Sequence, residues 1–307
     1  MMIFCRKIIV NKPSLLEIQG PVLLACNHPN SFLDAIILDV LFDQPIYSLA
    51  RGDAFLNNRI RRLFRALKIL PVYRTSEGVE NLGENYKTFD ACRTIFRQNG
   101  LVLIFSEGKC INEWHLRPLK KGTARLAIKS WEENIQLKVL PVGINYNSFR
   151  LFGKNIFINF GEIISRETID WSHADGLRHN TFNNVLQQQL EKLVYEIARN
   201  DFGRRQQMLV IAVSKTRKFL LSIPAAIGWL LHQPLYLPLK YYTLRKAGHN
   251  DHYDSILMAL LLFTYPFYLF LLSVLVYVFT KSILSFLLLF LMPFTAWAYV
   301  QVKKQVD

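Results

Sequence analysis

Asn27-His28-Pro29-Asn30-Ser31-Phe32-Leu33-Asp34 puts a histidine and a carboxylate on either side of a helix start, the raw material of a general base. The preceding run, residues 21–26 (PVLLAC), reads as a short buried strand, and Pro29 biases His28 toward an extended backbone. His28 therefore belongs at the end of a strand. Ser31 followed by Asp34, ahead of Ile36, Ile37, Val40 and Leu41, has the form of a capping box opening an amphipathic helix over residues 32–42. Because helical side chains lean toward the N-terminus, a first-turn Asp34 is expected to point back at His28. An ordinary strand-to-helix turn carries the same residue types, so the rest of the chain must decide between the two readings.

Outward from this turn, apolar runs and amphipathic segments alternate. Residues 3–10 and the run into Cys26 look like two strands, and residues 46–50 like a third. In residues 57–69 (NNRIRRLFRALKI), Ile60, Leu63, Phe64 and Leu67 share one helical face and the opposite face is basic. From Arg51 to Arg74 the cations are Arg51, Arg59, Arg61, Arg62, Arg65, Lys68 and Arg74, against Asp53 alone. This suits anionic lipid headgroups, or equally a solvated face. A helix carrying Phe89, Cys92, Ile95 and Phe96 ends at Asn99-Gly100, and the apolar run 101–105 follows at once. A basic turn, 117–122, leads into a helix through Ala124 to Trp131, then strands at 139–142 and 156–160 and a polar helix over 178–199. Helix and strand alternate as in an α/β fold, whose ligand sites gather just past the strands.

The 307 residues allow one sizeable core with an appendage, and 51% apolar with 13% aromatic residues is rich for a soluble enzyme. Lys and Arg outnumber Asp and Glu by 37 to 23, giving +14, which favours phosphate esters, an acidic carrier or a membrane surface over nucleic acid as partner. Cys5, Cys26, Cys92 and Cys110 lack zinc or disulfide spacing, and the N-terminus lacks the pattern of a signal peptide. Residues 256–279 and 282–300 carry no charge and are each long enough to cross a bilayer of ~30 Å. Residues 219–239 are also uncharged, but Pro224, Pro234 and Pro238 point to a re-entrant or interfacial segment, so two or three spans are expected. Lys215, Arg217, Lys218, Lys240, Arg245, Lys246, Lys303 and Lys304 flank the spans, with Lys281 alone at the tip. That asymmetry places residues 1–200, the catalytic domain, and the C-terminus on the cytoplasmic face of the inner membrane, with 201–307 as the membrane region.

Four motifs recur in order: Asn27-His28 through Asp34, Leu70-Pro71-Val72-Tyr73-Arg74, Phe105-Ser106-Glu107-Gly108, and Leu140-Pro141-Val142-Gly143. Together they resemble the phospholipid and glycerol acyltransferase family typified by lysophosphatidate acyltransferases, over roughly residues 8–145. The resemblance implies a mixed α/β sheet flanked by helices and transfer of an acyl chain from acyl-CoA or acyl-ACP to a glycerol phosphate or lysophospholipid hydroxyl. It implies His28 as base, Asp34 as its partner, and Asn27, Ser31, Arg74, Glu107, Gly108 and Lys109 around the acceptor. Lys120 and Lys121 read either as steering the phosphates of coenzyme A or an acidic carrier or, for at least one of them, as a solvated charge. No metal or bound cofactor is expected. Two departures stand out. The family separates His and Asp by four residues where this chain has five, and its FPEGTRS becomes FSEGKC here, with Lys109 in place to carry the missing arginine's charge. A non-glycerol acceptor, thioester hydrolysis, or a lipid-binding protein with an inactive site are the competing readings. A nucleophile elbow is excluded because Ile104 stands where GxSxG needs glycine.

Overall fold

The computed structural model describes residues 4–52, 57–73 and 82–306. Seven strands form one mixed sheet: β1 (Cys5–Val10), β2 (Val22–Cys26), β3 (Ile46–Arg51), β4 (Ile69–Val72), β5 (Leu101–Phe105), β6 (Lys138–Tyr146) and β7 (Lys154–Phe160), in the order β1-β7-β6-β2-β5-β3-β4. Only the β6–β7 pair is antiparallel. The central strands β2 and β5 are apolar without interruption because both faces are covered. On β2, Val22, Leu24 and Cys26 face the core shared with Leu33, Ile37 and Leu38 of α1 (Phe32–Leu41). Leu23 and Ala25 face the opposite core, built from α3 (Leu82–Arg97), α4 (Gly122–Glu132) and α5 (Asp175–Leu193). This period of two is the strand's pleat written in sequence. Gly143 on β6 lets the end of α5 approach, since a Cβ there would lie 2.6 Å from the Leu193 carbonyl oxygen.

The first two strands are not neighbours: β1 pairs in parallel with β7 at the sheet's edge, and a short 3-10 turn, Pro13–Glu17, carries the chain across to β2. On helix α2 (Asn58–Ala66) and just past its end, Leu63 and Leu67 are 55% and 52% exposed. Packing also continues past residue 200, where α6 (Phe202–Leu209) places Leu209 in the core beneath β6 and β7.

The C-terminal region contains three helices long and apolar enough to cross a membrane: α7 (Lys215–Ala247), α8 (Tyr253–Thr280), and Ile283–Val302, a 3-10 turn running into α9 (Leu288–Val302). Phe219, Phe263, Phe267, Phe279 and Phe290 are 71–81% exposed, a surface suited to lipid rather than water. Residues 219–239 form no re-entrant segment. They lie inside the 33-residue helix α7, which passes through all three prolines. Neighbouring helices take up backbone that proline loosens; next to Pro234, the Tyr268 hydroxyl donates to the Leu231 carbonyl at 2.7 Å. Gly228 permits a close approach to α9, where a Cβ would meet the Thr295 carbonyl oxygen at 2.1 Å. The bundle is fastened to the sheet at its far end, where Gln305 donates to the Ile211 carbonyl (2.7 Å) and accepts from Asn155 (2.6 Å).

Candidate active site

The site lies past the C-terminal ends of β2, β5 and β6, brought side by side by their parallel register of Cys26, Phe105 and Val142. His28, two residues beyond β2, stacks flat on Phe105, ring centres 3.7 Å apart. Its Nδ1 lies 2.9 Å from Asp34 Oδ2. The Asp34 side chain is fully buried, whereas that of His28 keeps 17% exposure. Asp34 accepts two further hydrogen bonds, from the Asn30 N–H (2.8 Å) and the Tyr146 hydroxyl (2.7 Å). Burial, reinforced by Asp34, raises the Tyr146 phenol well above its ordinary value near 10, so it stays a donor at every working pH. With Nδ1 occupied, His28 Nε2 makes no hydrogen bond among the described residues.

The expected capping box does not form. Ser31 has φ +52°, a backbone that a non-glycine residue adopts at a cost of order 1–3 kcal/mol. Its side chain makes no cap bond to α1. Instead its hydroxyl meets His252 Nδ1 at 2.6 Å and its N–H donates to the Cys110 sulfur at 2.9 Å. Asp34, freed from capping duty, faces His28. The residues that hold this turn come from the start of α8 and the loop before it. Asn30 Nδ2 donates to Asp254 Oδ2 (2.8 Å) and the Leu33 N–H to the Ser255 hydroxyl (3.2 Å). Asn112 ties the Pro29 carbonyl (2.7 Å) to Asp251 (2.8 Å). Asp254 in turn pairs with Lys154 at 2.7 Å, both side chains being buried. The lengthened turn is therefore built around the membrane helix.

Glu107 is buried, and its two oxygens accept the backbone N–H groups of His28 (2.9 Å) and Arg117 (3.0 Å). Burial pushes its carboxyl above the ordinary range, against the pull of those two donors. It thus fixes the His28 backbone rather than standing open in the cleft. Gly108 takes φ +67°, and a Cβ there would close to 3.0 Å on Lys120 Cγ. Asn27, expected beside substrate, is engaged by the sheet: its amide donates to the Ile144 carbonyl (3.0 Å) and accepts its N–H (2.7 Å), as a peptide group would. Ser31 is likewise buried and turned toward His252. Lys109, Lys120 and Lys121 are exposed at the rim. Arg74 lies outside the described residues. Ser106 is buried and accepts from Thr123 (3.0 Å), which leaves it no nucleophile's geometry. Among the described residues no three His, Cys, Asp or Glu side chains gather as metal ligands.

Residues 7–145, which contain every one of these motifs, match the family model named Acyltransferase. They form an acyltransferase-family domain. Among solved structures, the 1-acyl-sn-glycerophosphate acyltransferase PlsC of Thermotoga maritima matches with 16% identity and a TM-score of 0.42, covering 62% of this chain and 73% of that one. No curated protein matches the chain. Sequence reasoning missed Tyr146, Cys110 and the α8 contacts around His28 and Asp34. A tyrosine three residues past the fourth motif, Leu140 to Gly143, was the one available signal, since β6 runs parallel to β2 and ends level with the site.

Proposed function

We propose that the protein moves a fatty acyl chain from acyl-CoA or acyl carrier protein to a lysophospholipid hydroxyl, most directly that of 1-acylglycerol 3-phosphate. The observation that carries this reading is the 2.9 Å contact of His28 Nδ1 with the fully buried Asp34. A thioester is already activated, so the reaction needs a base, not a covalent nucleophile. His28 Nε2 takes the proton of the acceptor hydroxyl, the oxygen attacks the thioester carbonyl, and the departing thiolate recovers the proton from the imidazolium. Asp34 holds the tautomer that leaves Nε2 free to accept and stabilises the imidazolium once formed. No metal or bound cofactor takes part in this scheme, and no nucleic acid is a partner. Lys109, Lys120 and Lys121 supply the positive rim for the phosphates of donor and acceptor. Helix α2, with Leu63 and Leu67 exposed beside Arg61, Arg62 and Arg65, suits contact with anionic headgroups of the inner membrane's cytoplasmic leaflet, which also solvates the apolar helices.

The direct test incubates the purified full chain with radiolabelled acyl-CoA or acyl carrier protein and a panel of lysolipids, reading products by mass. A labelled diacyl phospholipid is the expected product. Labelled free fatty acid alone would instead establish thioester hydrolysis, and no labelled product would leave only a lipid-binding role. Two substitutions refine the reading. Tyr146→Phe removes one donor to Asp34 and is expected to lower kcat about tenfold with KM unchanged, the scale of a hydrogen bond to a charged group. Arg74→Ala is expected to raise the KM for a phosphorylated acceptor at least tenfold while sparing the acyl donor's; equal effects on both would remove Arg74 from the acceptor site.

A further inference from the structure

Ser31 occupies a corner of backbone space that belongs to glycine, with φ +52° and ψ −138°. It stands midway between His28 and Asp34 in the chain, so its two dihedrals set how the segment bearing the base is turned against the helix bearing the carboxylate. Glycine would hold this backbone freely, whereas a side chain is strained there. What serine adds is a hydroxyl. Its hydrogen-bond partner among the described residues is His252 Nδ1, at 2.6 Å. Ser31 is buried, and a buried hydroxyl hydrogen needs an acceptor, so the serine donates and the neutral imidazole accepts at Nδ1. The other hold on the residue is weaker, because the Ser31 N–H donates to a sulfur, that of Cys110.

His252 immediately precedes α8 and is exposed, and its backbone is fixed without help from the ring. Its N–H donates to Asn250 Oδ1 (2.9 Å) and its carbonyl accepts the Ile256 N–H (3.1 Å). Losing the imidazole therefore opens no core cavity and leaves the start of the helix in place. On the other side of the contact, the Ser31 carbonyl accepts the Asp34 N–H at 3.2 Å, and the Asn30 N–H reaches Asp34 Oδ2 at 2.8 Å. Relaxation of Ser31 out of the glycine corner would swing the first of these groups away from the second. The contact between His28 and Asp34 would loosen with them.

We propose that His252 is a positioning residue of the acyl-transfer site: by accepting the Ser31 hydroxyl it holds the strained turn in which Asp34 faces His28. This rests on the reading of His28 as the base. The test measures kcat and KM of the full chain in dodecyl maltoside micelles. His252→Ala is expected to lower kcat about tenfold, as the strained geometry loses population, with both KM values unchanged and the melting temperature little moved. His252→Asn, whose carbonyl can accept the same hydrogen, is expected to restore most of the loss, and Ser31→Ala to match His252→Ala. Ser31→Gly adopts the turn without its clasp. It is expected to keep most of the wild-type kcat, and His252→Ala added to it is expected to cost nothing further. A second readout needs no substrate: carbethoxylation of His28 by diethyl pyrocarbonate, followed by peptide mass, reports the nucleophilicity that Asp34 lends the ring. It is expected to slow in His252→Ala and Ser31→Ala and to hold in Ser31→Gly. A chain that transfers no acyl group would fail the proposed function and still decide this point by that rate. Unchanged kcat or His28 modification in His252→Ala, an equal loss when His252→Ala is added to Ser31→Gly, or Ser31→Gly as slow as Ser31→Ala would overturn the proposal.

Discussion

His28→Ala is expected to lower acyl transfer by about 10²- to 10⁴-fold, the weight of a positioned general base, without unfolding the chain. The imidazole lies flat on Phe105 at the open side of the sheet and keeps part of its surface exposed. Its removal therefore opens no closed cavity. The Glu107 anchor survives the substitution, because it grips the His28 backbone N–H and not the ring. Acyl-donor binding is expected to persist, so the loss should appear in kcat. Asp34→Asn is expected to approach the same floor by a different route: the amide can present its NH2 to Nδ1 and hold the wrong tautomer. Combining the two should cost little more than His28→Ala alone, since residues that act as a unit do not add. Substantial acyl transfer by His28→Ala would remove the base from the mechanism.

Much of this arrangement is legible in the residues themselves. The runs 21–26 and 101–105 announce the two strands that carry His28 and Glu107, because a strand buried on both faces has no polar alternation to confuse it with a helix. The Asn99-Gly100 stop works for a local reason as well: Asn99 turns to φ +57° and ends the third helix just before β5. What local pattern cannot show is partnership across the chain. Ser31-x-x-Asp34 satisfies every local rule for a capping box, yet tertiary contacts more than 200 residues away in sequence claim the serine. The prolines of α7 fail as helix breakers for the same reason, since their penalty is set by neighbours that the sequence does not name. Asn27 reads as a site residue beside His28, and only the pairing of β2 with β6 reveals that Ile144 takes its amide.

The largest stability effect is expected at Asp254, which joins that long-range partnership to the chemistry. Asp254→Ala leaves the Lys154 ammonium buried without its carboxylate, at a cost of about 3–5 kcal/mol, or a fall of roughly 10 °C in Tm for a chain of this size. It also takes the acceptor from Asn30, whose own N–H holds Asp34 on the side facing His28. These two consequences separate in Lys154→Met with Asp254→Leu. Replacing both buried charges by apolar groups of similar volume removes the unpaired ammonium, so Tm should return most of the way. The Asn30 amide still lacks its partner, and Ser31, held at φ +52°, loses part of the scaffold that keeps it there. Acyl transfer should therefore stay about tenfold low in a protein that melts normally. If activity returned together with stability, Asp254 would be a buried counter-ion and nothing more. If it stayed low, the first turn of a membrane helix would be setting the geometry of a dyad that belongs to the sheet, and five residues between His28 and Asp34 would be the length that lets Asn30 reach it.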